Sequence, residues 1–195
     1  MADSSKSLRG QFFNVPNQLT AARLVLSIVV FVLIPLKMYV PAIVVFIIAA
    51  STDWIDGYWA RRFNQVTKLG RMFDPFVDKI IICGTFILLG AAEGSGIAAW
   101  MAVVVVGREL LVTALRSFIE ESGGDFSANM AGKLKMVFQC VAVVASLWVL
   151  QIRQDEVVLA NWLLWTLTGL AWLAVLSTIQ SGLGYVWASA KFFKE

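Results

Sequence analysis

The sequence predicts an all-α integral membrane protein, a bundle of six transmembrane helices preceded by a juxtamembrane amphipathic segment over residues 1–18. Three observations carry that prediction. Hydrophobic residues make up 59% of the 195 positions and the mean hydropathy is +0.77, above the roughly half-apolar composition of a soluble domain. The apolar residues fall into runs of close to the twenty needed to cross a bilayer. Charges gather at the ends of those runs. No repeat or low-complexity stretch divides the chain, so residues 19–195 are expected to form one transmembrane domain.

Taken in order, residues 1–18 mix charges with Leu8, Phe12, Phe13 and Val15, a pattern suited to lying along the membrane interface. The first apolar run begins only near residue 24 and no small-x-small site follows it, which argues against a cleaved signal peptide. The first span is expected over 24–36, with Asn17 or Thr20 as a helix cap on the plainer reading. Lys37 and Pro41 mark a turn, and the second span runs over 41–61. After a polar loop at 62–69, the third span covers 70–89, with Pro75 near its first turn, where a missing donor costs little. A glycine-bearing turn at 91–96 leads to the fourth span at 97–118. The longest polar loop, 121–132, overlaps the start of the fifth span, 131–150. A turn at 153–156 leads to the sixth span, 157–180, and a glycine-bearing tail, 181–195, ends the chain. Trp162, Trp165 and Trp172 are expected at lipid or interface. Cys83 and Cys140 lie in apolar runs and are expected to pack, not to pair. Basic residues favour the two termini and the 62–71 and 117–135 regions, which places those on the cytoplasmic side of the inner membrane. A net charge of +3 distributed this way suits anionic lipid and phosphate, and not nucleic acid.

The chemistry concentrates between Ser51 and Lys79. Asp53, Asp56, Asp74 and Asp78 fall within this short stretch. A carboxylate at the centre of a membrane helix costs on the order of 2.5 to 3.5 kcal/mol, so four would cost roughly 10 kcal/mol without compensation. Helical periodicity puts Asp53, Asp56, Gly57 and Ala60 on one face, and Asp74 and Asp78 on one face of the next helix. Ion pairing with Arg61, Arg62, Lys68, Arg71 and Lys79 would compensate some of the charge but does not account for matching faces. A bound cation does. The chain has no histidine, and an all-oxygen donor set suits Mg²⁺ or Mn²⁺. Gly57 leaves room for a close ligand, and Arg61 one turn on is placed to hold a phosphate. An aspartate-lined cation channel or transporter would use similar carboxylates, but has no need of the glycine and arginine.

The full spacing, D-x2-D-G-x2-A-R-x8-G-x3-D-x3-D from Asp53 to Asp78, resembles the signature of the CDP-alcohol phosphatidyltransferases with every fixed position filled. Eight fixed residues at about one chance in twenty each make an accidental match very improbable. The resemblance implies that Asp53, Asp56 and Asp74 are ligands to two divalent ions and that Asp78 is both ligand and base. It implies contacts to CDP-diacylglycerol from Gly57, Ala60, Arg61, Thr67 and Gly70. The string Val15-Pro-Asn17-Gln-Leu-Thr20-Ala-Ala-Arg23, together with those around Gly70 to Lys79 and Gly107 to Leu110, resembles the bacterial phosphatidylglycerophosphate synthases within that family, which adds Asn17 and Thr20 to the nucleotide end. The family also implies a homodimer. For the acceptor, Arg108 and Arg116 stand about 80° and roughly two turns apart on the fourth span. With Lys133 and Lys135 they are expected to bind an anionic alcohol, glycerol 3-phosphate; phosphatidylglycerol, the acceptor of a cardiolipin synthase, is the alternative.

Overall fold

The computed structural model describes residues 15–63, 68–121 and 130–192, with the backbone alone over 15–17, 53–63, 68–75, 120–121, 130–131 and 191–192 and at Leu19, Asp78 and Lys133. Among the described residues there are six helices and no strands: α1 (Val15–Leu33), α2 (Tyr39–Phe63), α3 (Lys68–Ala91), α4 (Ala99–Glu121), α5 (Met130–Gln154) and α6 (Asn161–Phe192). The chain forms two compact units that meet within α3, one up to Ile81 and the other from Ile82.

In the first unit α1 packs on α2. Val30 and Ile34 from one side and Tyr39, Ala42, Phe46 and Ala49 from the other are buried together with Arg23 and Ser27. The turn between them closes α1: Lys37 donates to the Ile34 carbonyl at 2.9 Å and Met38 to that of Leu33 at 3.0 Å, with Lys37 at φ 58°. This pair of bonds satisfies carbonyls that a helix end otherwise leaves open, and it requires a left-handed residue that is usually glycine. Glu156 does the same beyond α5, at φ 57° with bonds to Arg153 and, through Val157, to Ile152. Lysine and glutamate stand the strain of roughly 1–2 kcal/mol where each side chain is exposed.

In the second unit α6 packs on both α4 and α5, and Val105, Val112, Ala142, Val143, Leu147, Ala171, Ala174 and Val175 form the seam. Gly90 lets α3 approach α4, since a Cβ there would sit 3.3 Å from the Ala99 Cα. The connection after α3 is tied down by Ser95, whose hydroxyl donates to the Leu89 carbonyl at 2.6 Å and accepts from the Ile97 amide at 3.2 Å, while Ser146 of α5 donates to the Ser95 carbonyl. Cys83 and Cys140 are half-buried and make no disulfide. Trp162, Trp165 and Trp187 turn outward, Trp187 by 83%, as amphipathic rings do at a membrane interface.

Several boundaries differ from the sequence reading. α1 begins at Val15, so Asn17 and Thr20 lie inside its first two turns and do not cap it; Pro16 is tolerated because the first turn has no intrahelical acceptor to satisfy. α3 begins at Lys68, which moves Pro75 into its second turn, where the ring has no N–H to give the carbonyl four residues back. α6 continues to Phe192 through the supposed tail. Glycine costs up to about 1 kcal/mol in a helix, yet Ser181, at 2% exposure, and Ser189 are buried, so packing holds these turns helical.

Two helical segments, Leu134–Gln154 and Asn161–Ala190, are long and apolar enough to cross a membrane; the apolar stretches Thr20–Leu33, Tyr39–Thr52 and Lys79–Ala91 are shorter. The sequence reading expected six spans. Among the described residues α4 carries Arg108, Glu109 and Arg116 within its apolar run.

Candidate active site

The carboxylate-bearing residues all belong to the first unit. Asp53, Asp56, Gly57, Ala60 and Arg61 occupy the last turns of α2, and Gly70, Asp74 and Asp78 the first turns of α3. Unbroken helix through these positions preserves the register in which the 53/56/57/60 set shares one face and the 74/78 pair another. Thr67 lies outside the described residues. Asn17 and Thr20 stand near the start of α1. As a donor set, four aspartates with no histidine in the chain fit a hard divalent cation: oxygen ligands at helical i,i+3 and i,i+4 positions are what Mg²⁺ or Mn²⁺ takes.

The second unit holds a buried ionic cluster built by three helices. Glu109 of α4, at 3% exposure, accepts from the Lys135 Nζ of α5 through Oε1, and from the Arg108 Nη1 at 3.2 Å to Oε1 and 3.3 Å to Oε2. The other terminal nitrogen of Arg108 donates to the Ser181 hydroxyl of α6 at 2.6 Å, and the guanidinium carbon lies 5.5 Å from the centre of the Tyr185 ring. That stacking adds a cation–π attraction to the hydrogen bond. Gly182 leaves the passage open, since a Cβ there would come within 3.0 Å of the Arg108 Cγ. One turn along both helices, Gln139 donates to the Thr178 hydroxyl at 2.9 Å, and Thr178 donates onward to the Ala174 carbonyl at 2.6 Å. Burial of these groups is offset by hydrogen bonds at almost every atom. The exception is Arg108 Nε, which is buried without a hydrogen-bond partner.

Two cations and one carboxylate lie together here in a place that is nearly closed to water, the side chains of Arg108, Glu109 and Lys135 being 9%, 4% and 7% exposed. Of the four residues expected to bind an anionic acceptor, the structure brings together Arg108 and Lys135 through Glu109; Arg116 is exposed two turns further along α4, and Lys133 stands at the start of α5. The sequence reading assigned no role to Glu109 and placed Ser181, Gly182 and Tyr185 in a tail. The spacing 181, 185, 189 of Ser, Tyr and Ser is one helical face, a signal obscured by the neighbouring glycines.

The CDP-alcohol phosphatidyltransferase family model matches residues 13–179. A CDP-diacylglycerol–glycerol-3-phosphate 3-phosphatidyltransferase of Bacillus subtilis (strain 168) is 37% identical over 151 residues, which span 69% of this chain and 77% of that protein. Proteins of the same name from Escherichia coli (strain K12) and Shigella flexneri serotype 5b are each 35% identical over 145 residues, covering 70% of this chain and 78% of theirs. With a family match over most of its length and relatives of this identity and coverage, the chain belongs to the CDP-alcohol phosphatidyltransferase family.

Proposed function

We propose that this protein transfers the phosphatidyl group of CDP-diacylglycerol to glycerol 3-phosphate, releasing CMP and giving phosphatidylglycerophosphate for phospholipid biosynthesis. The observation that carries the acceptor is the cluster of Arg108, Glu109 and Lys135: an arginine and a lysine brought together on neighbouring helices suit a phosphate-bearing alcohol better than a neutral one. The names of the relatives point the same way.

In this reading the two units divide the work. Asp53, Asp56, Asp74 and Asp78 would hold Mg²⁺ or Mn²⁺, two ions in all, and Gly57, Ala60, Arg61, Thr67 and Gly70, with Asn17 and Thr20, would receive the CDP moiety. Bound there, the divalent ions supply charge neutralisation for a pyrophosphate being cleaved. Asp78 takes the proton of the acceptor hydroxyl as its oxygen bonds to the phosphorus next to diacylglycerol. The bond from that phosphorus to the CMP oxygen breaks, so that CMP leaves with the bonding electrons. A single in-line displacement needs no covalent intermediate. Arg108, Arg116, Lys133 and Lys135 would hold the acceptor phosphate and so fix which hydroxyl is presented.

The setting we propose is the bacterial inner membrane, with all of α1 to α6 embedded as a six-span homodimer-forming bundle and both termini facing the cytoplasm, where the water-soluble acceptor is found. The basic residues flanking α2, α3, α4 and α5 support that orientation. The test is an assay of purified protein with CDP-diacylglycerol and labelled glycerol 3-phosphate, phosphatidylglycerol or a neutral polyol as competing acceptors. CMP released in step with label entering a lipid phosphomonoester is expected. Preference for phosphatidylglycerol would make the protein a cardiolipin synthase, and no CMP release with any acceptor would remove the transferase reading.

A further inference from the structure

A carboxylate beside two cations that receive a phosphate is, on charge alone, working against them. Removing Glu109 would raise the positive potential of the site and draw an anion more strongly. The geometry suggests a different purpose. Glu109 does not simply lie nearby: its Oε1 accepts from a cation on each of two helices, Lys135 on α5 and Arg108 on its own helix, and its Oε2 accepts a second contact from Arg108. Sharing one oxygen keeps the ammonium and the guanidinium within two hydrogen-bond lengths of each other, a spacing that like charges would otherwise widen. Ser181 and the Tyr185 ring then hold the far side of the guanidinium, with Nε buried and unpartnered.

We propose that Glu109 is a positioning residue of the acceptor site, holding Arg108 and Lys135 as a preset pair so that the ordering of two long side chains is complete before the phosphate arrives. This inference rests on the acceptor reading above. Preorganisation of this kind lowers the entropic cost of binding, and in this proposal it outweighs the repulsion between Glu109 and the incoming anion. Glu109 touches no reacting atom in this scheme. Its effect is on where the acceptor sits.

The experiment is steady-state kinetics of E109Q, with R108A and K135A in parallel, varying glycerol 3-phosphate at saturating CDP-diacylglycerol and then the reverse. Glutamine keeps the shape and loses the charge that ties the two cations. The expected result is an acceptor KM raised roughly 10-fold, the loss of one charge-assisted hydrogen bond, with the donor KM unchanged and kcat falling by less. E109D, whose carboxylate is one methylene short of bridging the helices, is expected to lie between E109Q and the parent. If R108A and K135A raise the acceptor KM while E109Q leaves it unchanged or lowers it, the positioning role is wrong although the acceptor site stands. If R108A and K135A leave it unchanged as well, the acceptor reading itself fails. A carboxylate that only neutralises buried charge would reduce the yield of folded protein or kcat and leave both KM values alone. Should E109Q not fold, an unchanged acceptor KM in E109D overturns the proposal equally.

Discussion

The two halves of the chemistry are built in different ways. The carboxylate set occupies two consecutive helical segments, and its members are related by the i,i+3 and i,i+4 steps of a single helix. The cationic cluster draws Arg108 and Glu109 from α4, Lys135 from α5 and Ser181 and Tyr185 from α6, partners up to 77 positions apart by the residue numbers. Residues related by helical register can be read from spacing. Residues related only by packing cannot, because nothing in the sequence says which face of α6 meets α4.

If the carboxylate half does the metal chemistry, it is also where perturbation is most damaging. Excess EDTA is expected to abolish CMP release, with Mg²⁺ or Mn²⁺ restoring it; full turnover in chelator would detach the aspartates from any metal role. Asp78→Asn comes next. Losing a general base lowers rates by about 10²- to 10⁴-fold, and the loss should appear in turnover while CDP-diacylglycerol binding, measured by equilibrium titration, is retained. Near-normal turnover would remove Asp78 from the proton transfer.

Changes in the cationic half should be smaller and confined to one substrate. Arg108→Ala is expected to raise the glycerol 3-phosphate KM by roughly 10- to 150-fold, the equivalent of about 1.5 to 3 kcal/mol for a charge-assisted hydrogen bond. Gly182→Ala probes the same arginine by steric means. Its new methyl would meet the Arg108 Cγ at 3.0 Å, and because the guanidinium is held at its far end the stem has little room to yield. A cost on the order of 1 kcal/mol should appear as a several-fold rise in acceptor KM, despite the gain in helix propensity. The smallest kinetic effect is expected at Gly96, φ 75°, where a Cβ would lie 2.5 Å from Leu167 Cδ2. Gly96→Ala should lower thermal stability by about 1–3 kcal/mol and leave both KM values in place, which separates damage to the scaffold from damage to the site.

Among the described residues, helix number and order were legible because each break between apolar runs carries charge or glycine. The ends were less so. Leu134–Gln154 and Asn161–Ala190 have the length and apolarity of spans, whereas α4 gives up apolar positions to Arg108, Glu109 and Arg116. The start of α1 at Val15 was hidden by Pro16 and Asn17, residues that mark helix boundaries in isolation. The last turns of α6 were hidden by Gly182 and Gly184, which local propensity counts as breakers, although packing against Arg108 accounts for Gly182. Glu109 was visible as a charge within an apolar run, but its partner Lys135 lies 26 residues away, and only folding pairs them.

Division of labour between the halves is best examined by measuring donor and acceptor KM for Arg61→Ala and Arg108→Ala side by side. Arg61, in the last turn of α2, should raise the CDP-diacylglycerol KM and leave that of glycerol 3-phosphate nearly unchanged, and Arg108 should do the reverse. A rise in donor KM in the Arg108 variant equal to its rise in acceptor KM would contradict the assignment of the buried cluster to the acceptor phosphate.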